Sequence, residues 1–483
     1  MKAFTEPLLS LAGFEEMTKT AEKSSGLISV TGCIDAQKSQ MIYAFGGHRK
    51  NKIIVTFGEQ KAKELYDEYS FFDKEVVYYP SKDVLFYQSD IRGNLLTAER
   101  IRALKAIHEQ ESVTLVTTFD ALMNTMAPIE KMWENVLTLE QGQLLDLKEI
   151  QAVLIRMGYE KEYQVQTMGQ FSVRGGILDV FPLTEENPIR IELWGDEIDT
   201  IRYFDCESQK SIENIDRVSI YPAAELVLSE EEKAGGIEKL KAEAKRVSDK
   251  LRKQMKTEEA HRVTVMADEL TEEWGELSMY AGMDAFLSYF FDERVGLLDY
   301  FKPSDSLIFF DELTRCTEQG KLTETEFSES MKQRLAMGYI LPGQMNGLFT
   351  EKEIVAKLEK YSCIALAALD NKANGLHQLG SYGIHCQSVS PYNNSFELLI
   401  KDLKRYKKNG YRVILLSGSR TRAKRLSEDI TDQGITCFYT ENYDHELFEG
   451  QIMVCYGKVR RGFEYPILKL SLIHISEPTS LGM

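Results

Sequence analysis

A chain of 483 residues, with 43% hydrophobic and 28% charged residues, has the composition of a globular protein with about three or four domains. Its net charge of −17 excludes a general nucleic-acid coat protein, although it leaves room for a local basic surface. The seven cysteines form no Cys-x-x-Cys pair, no stretch of about 18 apolar residues occurs, and the first residues lack the apolar core of a signal peptide. These features argue against a zinc site, a disulfide framework and a membrane span, and they predict a cytoplasmic protein.

Predicted strands and helices alternate through the first 120 residues, which indicates a parallel α/β sheet. The first strand ends at Val30 and runs into a segment with the spacing of a phosphate-binding loop, G-x-x-x-x-G-K-[ST]. Gly32, Lys38 and Ser39 stand at the expected positions, but Gln37 replaces the second glycine. Because that glycine lets the backbone approach the phosphates, its loss predicts a degenerate loop that binds no nucleotide.

Two carboxylates follow a later buried strand, Leu307 to Phe310. In motor ATPases such a pair coordinates magnesium and polarises water. With the phosphate loop degenerate, Asp311 and Glu312 have no nucleotide to serve, and a structural or vestigial function is favoured. We therefore expect no catalytic residue, no metal and no cofactor in this chain.

The middle of the chain predicts one amphipathic helix, from Leu147 to Gly158, followed by a run of short strands. Gly175 and Gly176 form a turn, and Arg174 stands immediately before it. A guanidinium at a rigid hairpin end suits recognition of a carboxylate or a phosphate. The pattern alone equally allows an ordinary surface arginine.

A basic stripe runs from Lys401 to Arg425, where ten Lys or Arg residues occur with one Asp. In an acidic chain such a stripe can bind a phosphate backbone or an acidic partner, or it can be the solvated side of two helices. The candidate contacts to nucleic acid are Lys404, Arg405, Arg420, Arg422, Lys424 and Arg425.

Several strings resemble known families. Gln170 to Pro182, followed by the acidic hairpin Trp194 to Ile198, resembles the module shared by the bacterial excision-repair protein UvrB and the transcription-repair coupling factor (Mfd). Leu415 to Arg425 and Arg461 to Pro466 resemble the third domain of Mfd, which UvrB lacks at this place. The resemblance to Mfd covers about residues 1–469 and implies the N-terminal part of that family.

The resemblance also implies a partner, the damage-recognition protein UvrA, with Lys161, Phe171 and Arg174 as contacts. Lys161 and Arg174 align with two UvrB arginines that contact UvrA, and we expect them to meet on one face. Ser172 stands where UvrB has a third basic residue. The full-length family is an ATP-driven DNA translocase that displaces stalled RNA polymerase for nucleotide excision repair. ATP, Mg²⁺, RNA polymerase and double-stranded DNA are therefore expected to bind the missing C-terminal part.

We predict a multi-domain α/β architecture. Residues 1–120 begin a degenerate phosphate-loop domain, residues 121–222 form an inserted α+β UvrA-binding module, residues 223–380 supply the rest of the first domain with a linker, and residues 381–469 form a small α/β domain. Residues 470–483 resemble a translated sequencing adaptor and are predicted to be an artefact. Two other functions stay open, a UvrB-like damage-binding ATPase, which needs a working phosphate loop, and a DNA-binding module that uses the basic stripe.

Overall fold

The computed structural model describes residues 1–46, 49–83, 93–276, 283–369, 375–392 and 395–475. The first part alternates helices and strands as the sequence predicts. Its elements are α1 (Lys2–Thr5), α2 (Phe14–Lys23), β1 (Gly26–Thr31), α3 (Asp35–Phe45), β2 (Asn51–Thr56), α4 (Glu59–Tyr69), β3 (Val77–Tyr79), α5 (Gly93–Glu109), β4 (Thr114–Thr118) and α6 (Phe119–Met123).

The middle part is a β-rich module. Its elements are α7 (Ile129–Glu134), β5 (Leu137–Glu140), α8 (Leu147–Arg156), β6 (Glu160–Lys161), β7 (Gln170–Arg174), β8 (Ile177–Val180), β9 (Ile189–Trp194), β10 (Glu197–Phe204), β11 (Ser211–Ile215) and β12 (Arg217–Ile220). Strands β6 to β11 form one six-stranded sheet in sequential order, and β12 pairs with β5. The Asp146 side chain caps α8 by accepting hydrogen bonds from the first backbone N–H groups of that helix.

The next part begins with two long helices and contributes three strands. Its elements are α9 (Glu230–Lys253), α10 (Thr257–Glu276), α11 (Leu287–Phe290), β13 (Ser306–Asp311), α12 (Leu313–Ala336), α13 (Glu351–Leu358), β14 (Ser362–Leu366) and β15 (Gln378–Gly383). Helix α9 begins with a reciprocal capping box formed by Ser229 and Glu232.

One parallel sheet joins the two parts that flank the module. Its seven strands lie in the order β15-β1-β14-β13-β2-β4-β3, and each strand is parallel to its neighbours. All six residues of β13 are buried, which explains the continuous apolar run of Leu307 to Phe310 in the sequence. The module is therefore an insertion between β4 and β13 of a single sheet.

A second α/β unit follows. Its elements are β16 (Gln387–Ser388), α14 (Phe396–Lys408), β17 (Arg412–Ser417), α15 (Arg420–Asp432), β18 (Phe438–Tyr439), β19 (Ile452–Tyr456), β20 (Phe463–Tyr465) and β21 (Leu470–Ile475). The strands form a mixed sheet in the order β16-β20-β21-β17-β19-β18. One face of this sheet packs under α14 and α15, and the other joins the hydrophobic cluster on the α2, α3 and α4 side of the parallel sheet.

Strand β21 falls within the predicted artefact. Leu470–Ile475 pairs with β17 and β20, and its first four residues are buried. Residues 476–483 lie outside the described part of the chain. The adaptor origin of residues 470–483 stays a prediction.

A buried ion network ties the parallel sheet to the segment that leaves the module. The Arg100 guanidinium on α5 is fully buried, and its Nε donates to Glu225 Oε1 at 2.6 Å. Its Nη1 donates to the Pro80 carbonyl at 2.6 Å, and Lys82 Nζ adds a second cation 3.1 Å from Glu225 Oε1. Burial opposes the charge on Glu225, yet Arg100 and Lys82 outweigh it and lower its pKa to about 2.

None of the helices in the described part of the chain combines the length and the apolar character that crossing a bilayer requires.

Candidate functional site

The phosphate-loop segment lies between β1 and α3, where the motif predicts it. Gly32 has a φ of 81°, and a Cβ on it would lie 2.0 Å from the Ile384 carbonyl oxygen, so only glycine fits there. The side chains of Gln37, Lys38 and Ser39 are all buried in the first turn of α3. The loop therefore keeps its fold while its functional side chains have no access to solvent.

Lys38 is held by the two carboxylates that follow β13. Its Nζ lies 2.6 Å from Asp311 Oδ1 and 2.8 Å from Glu312 Oε1. Thr56 Oγ1 donates to Asp311 Oδ2 at 2.8 Å, and the Ala368 N–H donates to Glu312 Oε1 at 3.0 Å. Burial opposes the charge on Lys38, but the attraction and hydrogen bonds of Asp311 and Glu312 outweigh it, so the pKa of the ammonium is raised.

These contacts join the residues that a working site would use separately. In a working site the lysine binds phosphate and the acidic pair binds magnesium. Here the single lysine pairs with both carboxylates inside the fold. The side chains that a working loop offers to its ligand are therefore bonded to one another, and Gln37 replaces the second glycine.

The six-stranded sheet of the module has one packed face and one open face. Phe171, Leu178, Ile189 and Ile191 lie on the face that packs against α8. Residues of opposite parity lie on the other face, because side chains alternate along a strand. Cross-strand pairing there aligns Ser172, Asp179, Arg190 and Arg202 in one row.

Two arginines on the open face share one buried carboxylate. Arg190 donates from Nε to Asp179 Oδ1 at 2.7 Å and from Nη2 to Oδ2 at 2.8 Å. Arg174 donates from Nη2 to Asp179 Oδ2 at 2.9 Å, and its side chain is 36% exposed. The cluster therefore carries one excess positive charge, and the exposed part of that charge lies on Arg174.

The structure separates the three predicted contacts to UvrA. Lys161 is exposed on β6, but it pairs with Phe171, and paired residues project to the same face of a sheet. The register therefore contradicts the expectation that Lys161 and Arg174 meet on one face. Phe171 is fully buried in the core of the module, so it supports the sheet and offers no surface for the predicted contact.

Sequence reasoning missed Asp179 and Arg190. Asp179 lies within a strand between Leu178 and Val180, and a carboxylate at such a buried position requires a partner. That signal predicts a buried ion pair, although it does not indicate which arginine forms it. Ser172 pairs with Asp179 across the two strands and is also buried, so the position that is basic in UvrB offers no exposed contact here.

The basic stripe lies on α14 and α15, apart from Arg412, which begins β17. Lys404 and Arg425 are exposed, while Arg405 pairs with Asp402 at 3.1 Å. Arg420 lies over the ring of Tyr456 and Lys424 over that of Tyr439. Arg422 is exposed as well. Both helices pack on the same face of the second sheet, so the stripe forms one outer surface of that unit.

Comparison with known proteins agrees with this arrangement. Residues 137–226 match the family model of the UvrB interaction domain, which begins at β5 and ends shortly after β12. The chain is 27% identical over 422 residues to the transcription-repair-coupling factor of Bacillus subtilis (strain 168), covering 87% of this chain and 35% of that protein. It is 25% identical over 456 residues to that of Staphylococcus haemolyticus, covering 92% of this chain and 38% of the relative.

A third relative, the transcription-repair-coupling factor of Staphylococcus aureus (strain MRSA252), is 25% identical over 473 residues, which cover 95% of this chain and 38% of the relative. The chain thus spans little more than a third of the length of the curated relatives it matches. The chain is therefore similar to the N-terminal third of transcription-repair-coupling factors over nearly all of its own length, and residues 137–226 match the UvrB interaction domain.

Proposed function

We propose that this chain recruits UvrA for transcription-coupled nucleotide excision repair through the open face of its UvrB interaction domain. The observation that carries the proposal is the shared carboxylate of that face. Arg190 satisfies Asp179 with two hydrogen bonds, and Arg174 adds one more, which holds its partly exposed guanidinium in place and uses one of its five N–H donors. A pre-positioned guanidinium of this kind suits a carboxylate or carbonyl of a protein partner.

The parallel-sheet domain serves as the scaffold in this proposal. The whole protein would use its remaining two thirds to bind RNA polymerase and double-stranded DNA, to hydrolyse ATP and to act in the cytoplasm. Within the chain itself, recruitment requires binding only.

Replacing Arg174 by alanine is expected to weaken UvrA binding at least tenfold, which corresponds to about 1.4 kcal/mol. The fold of the module should persist, because Arg190 keeps Asp179 paired. The measurement is a calorimetric titration of UvrA into the full chain. The matched control is Arg156→Ala, which removes an arginine from α8 on the opposite side of the sheet.

Two other outcomes of this titration would contradict the proposal in different ways. Absence of UvrA binding by the unchanged chain would reject the recruitment function. Equal binding by the Arg174 variant and the unchanged chain would keep the partner and discard the arginine.

We further propose that the phosphate loop binds neither ATP nor Mg²⁺. Restoring the missing glycine with Gln37→Gly is expected to leave ATP binding undetectable, because Lys38 stays paired with Asp311 and Glu312. Fluorescence anisotropy of a labelled ATP analogue measures this directly, with the unchanged chain as the reference. Saturable binding by the unchanged chain would instead favour the UvrB-like ATPase.

A second candidate function, DNA binding, is favoured by the placement of the basic stripe on one outer surface. With about four phosphate contacts, affinity for duplex DNA should fall on the order of a hundredfold between about 50 and 200 mM salt. The double variant Lys404→Glu/Arg425→Glu should abolish this binding, while Lys241→Glu on α9 should not. A salt-independent or unchanged affinity in fluorescence anisotropy would reject this function.

A further inference from the structure

The largest exposed aromatic side chain of the module lies at the tip of the β9–β10 hairpin. Trp194 is 84% exposed, and Leu144, on the neighbouring segment, is 74% exposed. Glu197 pairs with Trp194 on one side and forms a bridge with Leu144 on the other, so the three residues form one cross-strand row. Exposed indole and isobutyl side chains cost free energy on a surface that stays in water, and they are typical of protein interfaces.

An open groove of about 660 Å³ runs beside this row. Its charged lining consists of Glu140, Glu197, Asp199, Asp216 and Arg217. Arg217 pairs with Glu140 at 3.1 Å, whereas the other three carboxylates have no cationic partner among the described residues. The groove is therefore acidic next to an exposed indole.

The groove continues the face that carries Arg174. Arg190, Glu192 and Trp194 alternate along β9 and therefore project to the same face of the sheet. Glu192 aligns with Ile177, which pairs with Arg174. Trp194 lies two residues beyond Glu192 on β9, and β9 lies two strands away from β7, which carries Arg174. The backbones of Trp194 and Arg174 are therefore about 12 Å apart. An interface of ordinary size, about 800 Å² per partner, is wider than this distance, so one partner can cover both Arg174 and the groove.

We propose that this groove receives an arginine or lysine side chain of the protein that binds the Arg174 face. The inference rests on the proposed function for the identity of that protein. The cation would lie over the Trp194 ring and its aliphatic stem against Leu144, while Glu197, Asp199 and Asp216 balance its charge. The partner surface would then present an acidic group to Arg174 and a basic group to Trp194, which fixes its orientation on the sheet.

The chemistry of the groove is tested with an acetylated tetra-arginine amide. Of the three tryptophans, Trp274 is buried and Trp133 is partly buried, so Trp194 is the fluorophore most accessible to the peptide. We expect a saturable change in indole emission that disappears in Trp194→Phe and weakens at least fivefold in Glu197→Gln/Asp199→Asn/Asp216→Asn. A tetra-glutamate peptide is the control. No saturable change with tetra-arginine would overturn the inference.

The place of the groove in the interface is tested with UvrA. Trp194→Ala should weaken UvrA binding at least tenfold, whereas Ile212→Ala, which truncates a 53%-exposed apolar side chain of β11 in the same sheet, should not. If Arg174→Ala weakens binding and Trp194→Ala does not, the recruitment function stands and the groove inference falls. If the unchanged chain binds no UvrA, the recruitment function falls, and the peptide titration alone decides whether the groove accepts a basic side chain.

Discussion

Replacing Lys38 by methionine is expected to lower the free energy of unfolding by about 3–5 kcal/mol, because it leaves a buried carboxylate without its cation. Asp311 is 1% exposed, and Lys38 is the only cation within ion-pair distance of it among the described residues. Methionine fills a similar volume, so the loss reflects charge more than packing. Urea unfolding followed by circular dichroism measures the change.

Two further variants make the Lys38 result decisive. Lys241→Met removes an exposed lysine of α9 and should change stability by less than about 0.5 kcal/mol. Lys38→Met/Asp311→Asn should be more stable than Lys38→Met alone, because an amide requires no counter-charge. A loss of less than about 1 kcal/mol in Lys38→Met would show that the fold does not depend on this ion pair.

Replacing Arg100 by methionine should have a comparable effect, also about 3–5 kcal/mol. The change removes the hydrogen bonds to Glu225 and Pro80 and a guanidinium that lies 4.1 Å over the Tyr79 ring. Arg217→Met is the matched control, since it breaks an exposed ion pair with Glu140 that is worth about 0–1 kcal/mol. Equal stability losses in the two variants would contradict this prediction.

The same network predicts a pH dependence. The folded-state pKa of Glu225 lies near 2, below its ordinary value of 4.5, so its contribution to stability is complete above about pH 4.5. That contribution is lost as the pH falls from about 4.5 toward 2, because the unfolded chain takes up the proton first. Glu225→Gln should therefore flatten the acid side of the stability curve, which denaturant titrations at several pH values measure. An unchanged slope would indicate that other carboxylates dominate acid unfolding.

The sequence predicts the parallel sheet and the position of the degenerate phosphate loop for a common reason. Continuous apolar strands such as β13 and the replacement of a single glycine by Gln37 are local signals, and the structure places both where the motif requires. Such local signals do not identify the ion-pair partner of Lys38. Asp311 lies 2.6 Å from Lys38 Nζ but far away in sequence, and only the order of strands in the sheet brings the two together.

The sequence predicts the hairpin next to Arg174 better than it predicts which side chains share the proposed binding face. Periodicity indicates that residues of one parity share a face, which groups Ser172 with Arg174 correctly within β7. It does not give the register between β6 and β7, which depends on the segment that joins them. That register sends Lys161 to the side of Phe171, and burial removes Phe171 itself from the surface.

Strand order also has a consequence for how the polypeptide matures on the ribosome. Among the residues that the structure describes, strands β5 to β12 of the module pair with one another and with no other strand, so residues 137–220 can complete their strand pairing soon after they emerge. Strand β1 has to wait, because its neighbours are β14 and β15, which end at Leu366 and Gly383. The nascent chain would therefore present a finished module while its host sheet is still open, and a nascent-chain protease assay should find the module protected first.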